Sequence, residues 1–186
     1  LQHTAVDYVE PFVTYGYLFD QRFDFGNYGG IVGGFRTDYS SAFGSGYKPF
    51  TFPHFNGYIN LQSFNLWNGI SNVIPAFKIR AAYGKAGIQP GPFDRYPVLN
   101  LQPTGNENTY TNQNAQKNPN LDVEVSSEKE IGTDLSFHMG NGSWLRTANV
   151  SFTYWQRQTD NAIFYQNVPP STGGTQLLTN AIALWV

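Results

Sequence analysis

The chain has 186 residues, no cysteine and a formal net charge of −2, and only 13% of its residues are charged, about half the usual quarter. The missing basic run argues against nucleic acid as a partner, and the missing cysteine removes disulfide and thiolate chemistry. No stretch approaches the ~20 apolar residues of a membrane-crossing helix, which leaves strand-built membrane proteins open.

The abundant residues, Phe, Tyr, Gly, Asn, Thr and Ser, favour strands and the turns between them. A first strand is predicted over residues 6–18, broken by Phe19-Asp20-Gln21-Arg22. A second follows over 23–37, with Phe23, Phe25, Ile31 and Phe35 opposed to Asp24, Arg36 and Asp38. Its many glycines suit bending and close backbone approach. A polar loop, 39–50, leads to a third strand over 52–61, where Phe55, Ile59 and Leu61 oppose His54, Asn56 and Asn60. The link 62–75 has room for a short helical turn. The fourth strand, 76–85, sets Phe77, Ile79, Ala81 and Tyr83 against Lys78 and Arg80. Residues 86–121 read as one long polar loop, a length uncommon without a function.

The fifth strand, 123–138, carries the clearest pattern. Successive strand side chains point to opposite faces. Glu124, Glu128, Glu130 and Asp134 therefore share an acidic face, and Val123, Val125, Ile131, Leu135 and Phe137 share the other. After a turn at 139–143 a sixth strand returns, with Ala148, Val150, Phe152 and Tyr154 opposed to Thr147, Asn149, Ser151 and Thr153. The tail from residue 162 reads as one or two further strands around Pro169-Pro170. Long two-faced strands joined by tight turns point to an antiparallel transmembrane β-barrel, lipid outside and water inside. The connections after strands one and five are short, those after two and four long, and the third is intermediate. That pattern assigns Arg22, Trp67 and Gly142 to the periplasmic side and Ser41 and Tyr110 to the exterior. Tyr15, Tyr17, Phe19, Phe23 and Phe25 then crowd one interface as an aromatic girdle. No secretory signal stands at Leu1, so the expectation is a mature chain or a piece of a longer one.

Several segments also resemble a known family. Arg36-Thr37-Asp38-Tyr39-Ser40-Ser41-Ala42-Phe43-Gly44 resembles the R-x-D-x-S-S-x-F-G signature of SusC/RagA-like TonB-dependent transporters, and Phe52-Pro53 falls at that family's next strand. Arg80-Ala81-Ala82-Tyr83-Gly84-Lys85-Ala86-Gly87-Ile88-Gln89 resembles R-A-S-Y-G-x-x-G-N-Q, with Ile88 in place of the usual Asn. Asn118-Pro119-Asn120-Leu121 with Glu124, and Ile131-Gly132 with Asp134-Leu135, resemble N-P-N-L-x-x-E and I-G-x-D-L. Thr159-Asp160, Pro170-Ser171 and Leu178-Thr179-Asn180-Ala181 continue the order. The resemblance implies a 22-stranded barrel around an N-terminal plug, importing oligosaccharides or peptides with a SusD-like lipoprotein lid and TonB acting through the plug. Residues 1–186 would be one part of that barrel, about six to eight strands with an extracellular loop near 86–121 and the plug absent. The remaining barrel strands, the plug and outer-membrane lipid are the implied partners, and no cofactor is implied.

Candidate substrate contacts are Glu124, Glu128, Glu130, Asp134 and Asn149 on the lumen face, and Tyr96 and Tyr110 in the long loop. The carboxylates read in three ways: a wall that meets a polar substrate, a pair for glycoside hydrolysis, or a solvated interior neutralised by Lys78 and Arg80. The third is preferred, because structural ion pairs outnumber catalytic carboxylates. Pairing of strands four and five brings Arg80 near Asp134, so an Arg80–Asp134 contact, or one to Glu130, is expected. His3, His54 and His138 stand in no metal-ligand spacing, and no catalytic residue is expected. The competing architectures are a soluble β-sandwich that binds or cleaves carbohydrate, whose strands should be shorter, and a complete eight-stranded barrel.

Overall fold

The computed structural model of the chain describes residues 12–41, 49–140, 145–180 and 183–185, the last three as backbone only. Residues 6–11 of the first predicted strand, 42–44 of the motif that begins at Arg36, and the turn around Gly142 lie outside the described residues.

The long strands are β1 (Thr14–Asp24), β2 (Gly29–Ser40), β3 (Phe50–Asn60), β4 (Ala76–Ile88), β8 (Glu124–His138) and β9 (Thr147–Asp160). Between β4 and β8 lie β5 (Leu99–Thr104), β6 (Glu107–Asn112) and β7 (Ala115–Gln116), and after β9 come β10 (Ile163–Asn167), β11 (Gln176–Asn180) and β12 (Ala183–Trp185). One seven-stranded sheet runs in the order β1-β2-β3-β4-β8-β9-β12, and every neighbouring pair is antiparallel. β12 covers only Gln158–Asp160 of β9, so both edges of the sheet are open among the described residues.

The break expected at Phe19-Asp20-Gln21-Arg22 does not occur: β1 runs straight through it. Asp20 and Arg22 both point to the polar face, where Asp20 meets His54 and Arg22 meets Asp24. A two-faced strand accommodates charge at alternate positions without ending. The chain turns instead at 25–28, where Gly26 takes φ +55° and Tyr28 N–H donates to Phe25 O (3.1 Å). The reading of one crowded aromatic interface fails for the same reason. Tyr15 and Phe23 lie eight residues apart on one continuous strand, about 26 Å at ~3.3 Å per residue. Two aromatic groups form, one at each end. Tyr15 stacks on Tyr39 (centroids 4.7 Å) with Tyr17 edge-on, while Tyr28–Phe64 (5.1 Å) and Trp67–Phe77 (5.5 Å) gather at the other end.

The connections 25–28 and 61–75 share that second end with the last residue of β8. Asn60 Nδ2 and Ser63 Oγ donate to Asn27 O (2.9 and 2.7 Å), and His138 N–H donates to Val73 O (2.8 Å). The long 89–123 connection lies at the opposite end. Residues 86–121 are not one irregular loop: β4 continues to Ile88, β5 and β6 make a hairpin, and β7 joins β10 and β11 in a small sheet. The Asn118–Leu121 motif folds back there, with Leu121 fully buried and the Arg95 Nη2 donating to Pro119 O (2.9 Å). Asn180 ties this rim together: its side chain accepts from Asp122 N–H (2.9 Å) and donates to Asp122 O (3.0 Å) and Asn161 O (2.7 Å).

The buried apolar residues described, Phe52, Leu121, Val123, Ala162 and Leu178, all lie at this loop end. Nothing described covers the apolar face of the main sheet. Phe152 is 65% exposed, Phe55 56%, Ile131 53% and Phe23 53%. A sandwich would bury these side chains against a second sheet, each for about 1.5–3 kcal/mol. The sandwich expectation is therefore set aside.

Candidate functional site

The register gathers the ion-paired side chains on one face. Lys78 sits opposite Asp134, Ala82 opposite Glu130 and Gly84 opposite Glu128, and on β9 Asp134, Glu130 and Glu128 face Ser151, Trp155 and Arg157. One face of the sheet thus collects every second residue of β8 from Glu124 with Lys78 and Arg80 of β4, His54 and Tyr58 of β3, Arg36 and Asp38 of β2, and Asp20, Arg22 and Asp24 of β1.

Arg80 is the centre of this face. Its guanidinium pairs with Glu130, donates to the Thr153 hydroxyl, and lies with Nε 3.5 Å from Asp134 Oδ2. It spans the floor at Gly132, where a Cβ would stand 2.7 Å from Arg80 Cζ. Arg157 grips Glu128 through Nε (2.9 Å) and Nη2 (2.7 Å) and lies over the Trp155 ring. Toward β1, Lys78 Nζ sits 4.4 Å from the Tyr58 ring centroid, Arg36 pairs with Asp38 (2.7 Å), and Arg22 with Asp24 (2.7 Å). His54 Nε2 meets Asp20 Oδ1 at 2.5 Å above Gly34, whose hydrogen leaves the room a Cβ would take. Across the sheet, most carboxylates therefore face a cation or a ring N–H, and such charge-assisted contacts hold both partners in fixed geometry.

Of the residues singled out in the sequence, the structure gathers Glu128, Glu130, Asp134 and Arg80 into one patch. Glu124 stands apart at the loop end, where its Oε2 accepts from Ile163 N–H (2.9 Å). Asn149 lies toward the turn end and accepts from Ser136 Oγ (2.7 Å). Tyr96 and Tyr110 are off the main sheet. Tyr96 packs beside Phe93, and Tyr110, 70% exposed, stands beside Leu101 on the hairpin. Arg157 and Asp20 join the site without a signal in the sequence reading: Arg157 lies on the polar face of β9, whose alternation runs on past Tyr154, and Asp20 stands in a run that reads as a break by composition. Among the described residues no group of His, Cys, Asp or Glu could hold a metal ion.

The family model for TonB dependent receptor-like β-barrels matches residues 6–183. No curated protein matches the chain. Among solved structures, the RagAB peptide importer is similar in its open-open state (TM-score 0.74, 17% identity, 94% of this chain) and its closed-closed state (0.76, 17%, 92%). The siderophore receptor PirA from Pseudomonas aeruginosa is similar at TM-score 0.60 and 18% identity over 92% of this chain. The chain spans 18% of the RagAB chains and 29% of the PirA chain. At these identities the likeness bears on the fold.

Proposed function

Since this chain belongs to the TonB dependent receptor-like β-barrel family, we propose that it forms part of the membrane-spanning wall and the outer rim of a bacterial outer-membrane importer. One observation carries the reading: strands of 11–15 residues present an exposed apolar face on one side and an ion-paired polar face on the other. Outward side chains meet acyl chains, and the Arg80 and Arg157 networks line a wet lumen. In hydrocarbon the two open edges would leave backbone groups unsatisfied at several kcal/mol each, so further strands must close the barrel.

In this reading the short turns are periplasmic and the rim built from 89–123 and 161–180 is extracellular. Work is done by binding and conformational change: substrate is held non-covalently and released when TonB acts through a plug. Most wall carboxylates already hold partners, so Glu128, Glu130 and Asp134 serve first as structure. Asn149 lies toward the periplasmic end of this patch and Tyr96 in the rim beyond its other end, as secondary substrate contacts, and Tyr110 offers the most open one. The substrate class is oligosaccharide or peptide, and the likeness to a peptide importer supports the second. A SusD-like lipoprotein has its candidate footing on the β5-β6 hairpin, where Leu99, Leu101 and Tyr110 stand exposed on one face.

The test is fractionation followed by uptake. The polypeptide that carries this segment should sediment with outer membranes and need detergent for release, and its deletion should abolish growth on a peptide or oligosaccharide source that TonB-deficient cells also cannot use. A soluble, monomeric protein with a cooperative melt would overturn the reading.

A further inference from the structure

A groove of about 530 Å³ crosses the apolar face between β1 and β4. Its floor is made of small residues, Gly33, Gly57 and Ala81, and its walls of Phe23, Phe55 and Tyr83. All six belong to the outward face by register. A Cβ at Gly33 would meet the Phe55 ring at 3.1 Å and one at Gly57 would meet Ile31 Cγ2 at 3.3 Å, so the two glycines keep the floor low beside these side chains.

A second observation lies at one end. Lys85 and Lys129 are exposed on the same outward face, Lys129 directly opposite Tyr83 and Lys85 two residues beyond it. Neither makes an ion pair among the described residues. Cations above an apolar face are arranged for an anion held at the membrane interface.

The register gives the direction. Gln21, Gly33, Phe55, Tyr83, Lys129 and Gln156 form one row across the strands. The row beneath it runs from Tyr154, the last apolar outward residue of β9 toward the loop end, to Phe23, beside the turn on β1. Both rows therefore descend from the loop-end interface at β9 into the hydrocarbon at β1. A chain whose head sits on Lys129 and whose tail follows the trough would travel from the interface inward, as a lipid does.

We propose that the outward face binds a lipid with a phosphate headgroup, its headgroup on Lys85 and Lys129 and one acyl chain in the trough over Gly33, Gly57 and Ala81. The inference rests on the membrane placement proposed above. It is tested on the intact receptor that carries this segment, purified in detergent and mixed with dipalmitoyl phosphatidic acid, with retained lipid counted by native mass spectrometry. Lys85→Glu with Lys129→Glu should weaken retention at least tenfold, and Lys85→Arg with Lys129→Arg should keep it. Ala81→Phe, which fills the trough and leaves the lysines, should weaken retention of both phosphatidic acid and dipalmitoyl glycerol. Equal retention by wild type and the double Glu variant overturns the proposal, as does indifference to Ala81→Phe, or full displacement by inorganic phosphate, which would mark a free-anion site. A receptor absent from the outer membrane would instead defeat the placement.

Discussion

Gly132→Ala is a one-carbon change with a specific expected cost. The new Cβ would stand 2.7 Å from Arg80 Cζ, 2.9 Å from Nη2 and 3.0 Å from Nε. Three atoms of one rigid plane are met at once, so the guanidinium must lift away rather than swivel. Lifting it breaks the pair with Glu130, the bond to Thr153 and the approach to Asp134. Hydrogen bonds to charged groups contribute about 1.5–3 kcal/mol each. Both carboxylates stay roughly one-third exposed and regain water, and that discounts the loss toward the smaller values of exposed pairs. A net destabilisation of about 1–2 kcal/mol follows.

The control is the same substitution in an Arg80→Ala background. With the guanidinium gone, the three nearest obstacles to a Cβ at 132 are removed, and Ala should stabilise by about 0.5–1 kcal/mol through its lower chain entropy against Gly. The double-mutant cycle should therefore show a coupling of about 1.5–3 kcal/mol with a reversal of sign. The assay is the urea midpoint of the intact receptor refolded into lipid vesicles. If Gly132→Ala costs the same with and without Arg80, the glycine is not there for the guanidinium, and the reasoning fails.

On the lipid face, Phe152→Arg should destabilise by about 2–4 kcal/mol, as a charge near the bilayer midplane does, while Ser151→Arg, one residue back and facing the lumen opposite Asp134, should shift the same midpoint far less. Asn180→Ala removes three hydrogen bonds that hold the rim; at about 0.5–1.5 kcal/mol each it should speed limited proteolysis within 89–123 several-fold, and unchanged cleavage would show that the rim is held elsewhere. Residues 1–186 hold no cysteine, so a cysteine introduced among them is read against the unsubstituted receptor as background: an impermeant maleimide on intact cells should label Tyr110→Cys and spare Gly69→Cys, and the reverse result would invert the proposed orientation.

The two faces were legible because the strand period is 2 and one bilayer-facing side tolerates almost no charge; Lys78, Arg80, Glu130 and Asp134 fell on one side by counting alone. The turn at 25–28 was not legible. Asp20-Gln21-Arg22 looks like a break by composition, and only the partners His54 and Asp24 on the polar face explain why a strand keeps them. The hairpin in 89–123 was hidden for the opposite reason. Leu99, Leu101 and Tyr110 alternate over only a few residues, too short a window to separate a strand from a polar loop. Arg157 escaped because the apolar alternation that marks β9 ends at Tyr154, and the pairing of Arg157 with Glu128 lies past it.

That extra length of β9 also says where the membrane stops. β8 has 15 residues, about 50 Å at ~3.3 Å per residue, and a tilt of ~40° leaves roughly 38 Å of height against an apolar band of ~25 Å. The turn end offers no surplus, since Phe137 and Ala148 still carry apolar side chains outward beside the turn that joins β8 to β9. The surplus must therefore stand at the loop end, where the outward residues change from Ile131 and Tyr154 to Lys129, Gln156 and Gln158. The same levels on the inner face hold Glu128, Arg157 and Glu124. The wall thus continues beyond the hydrocarbon as a sheet wet on both sides, and it needs the ion pairs on its inner face and the Asn180 ties at its rim because lipid no longer supports it there. Changes to Arg157 should accordingly loosen the rim, and changes to Phe152 the membrane span.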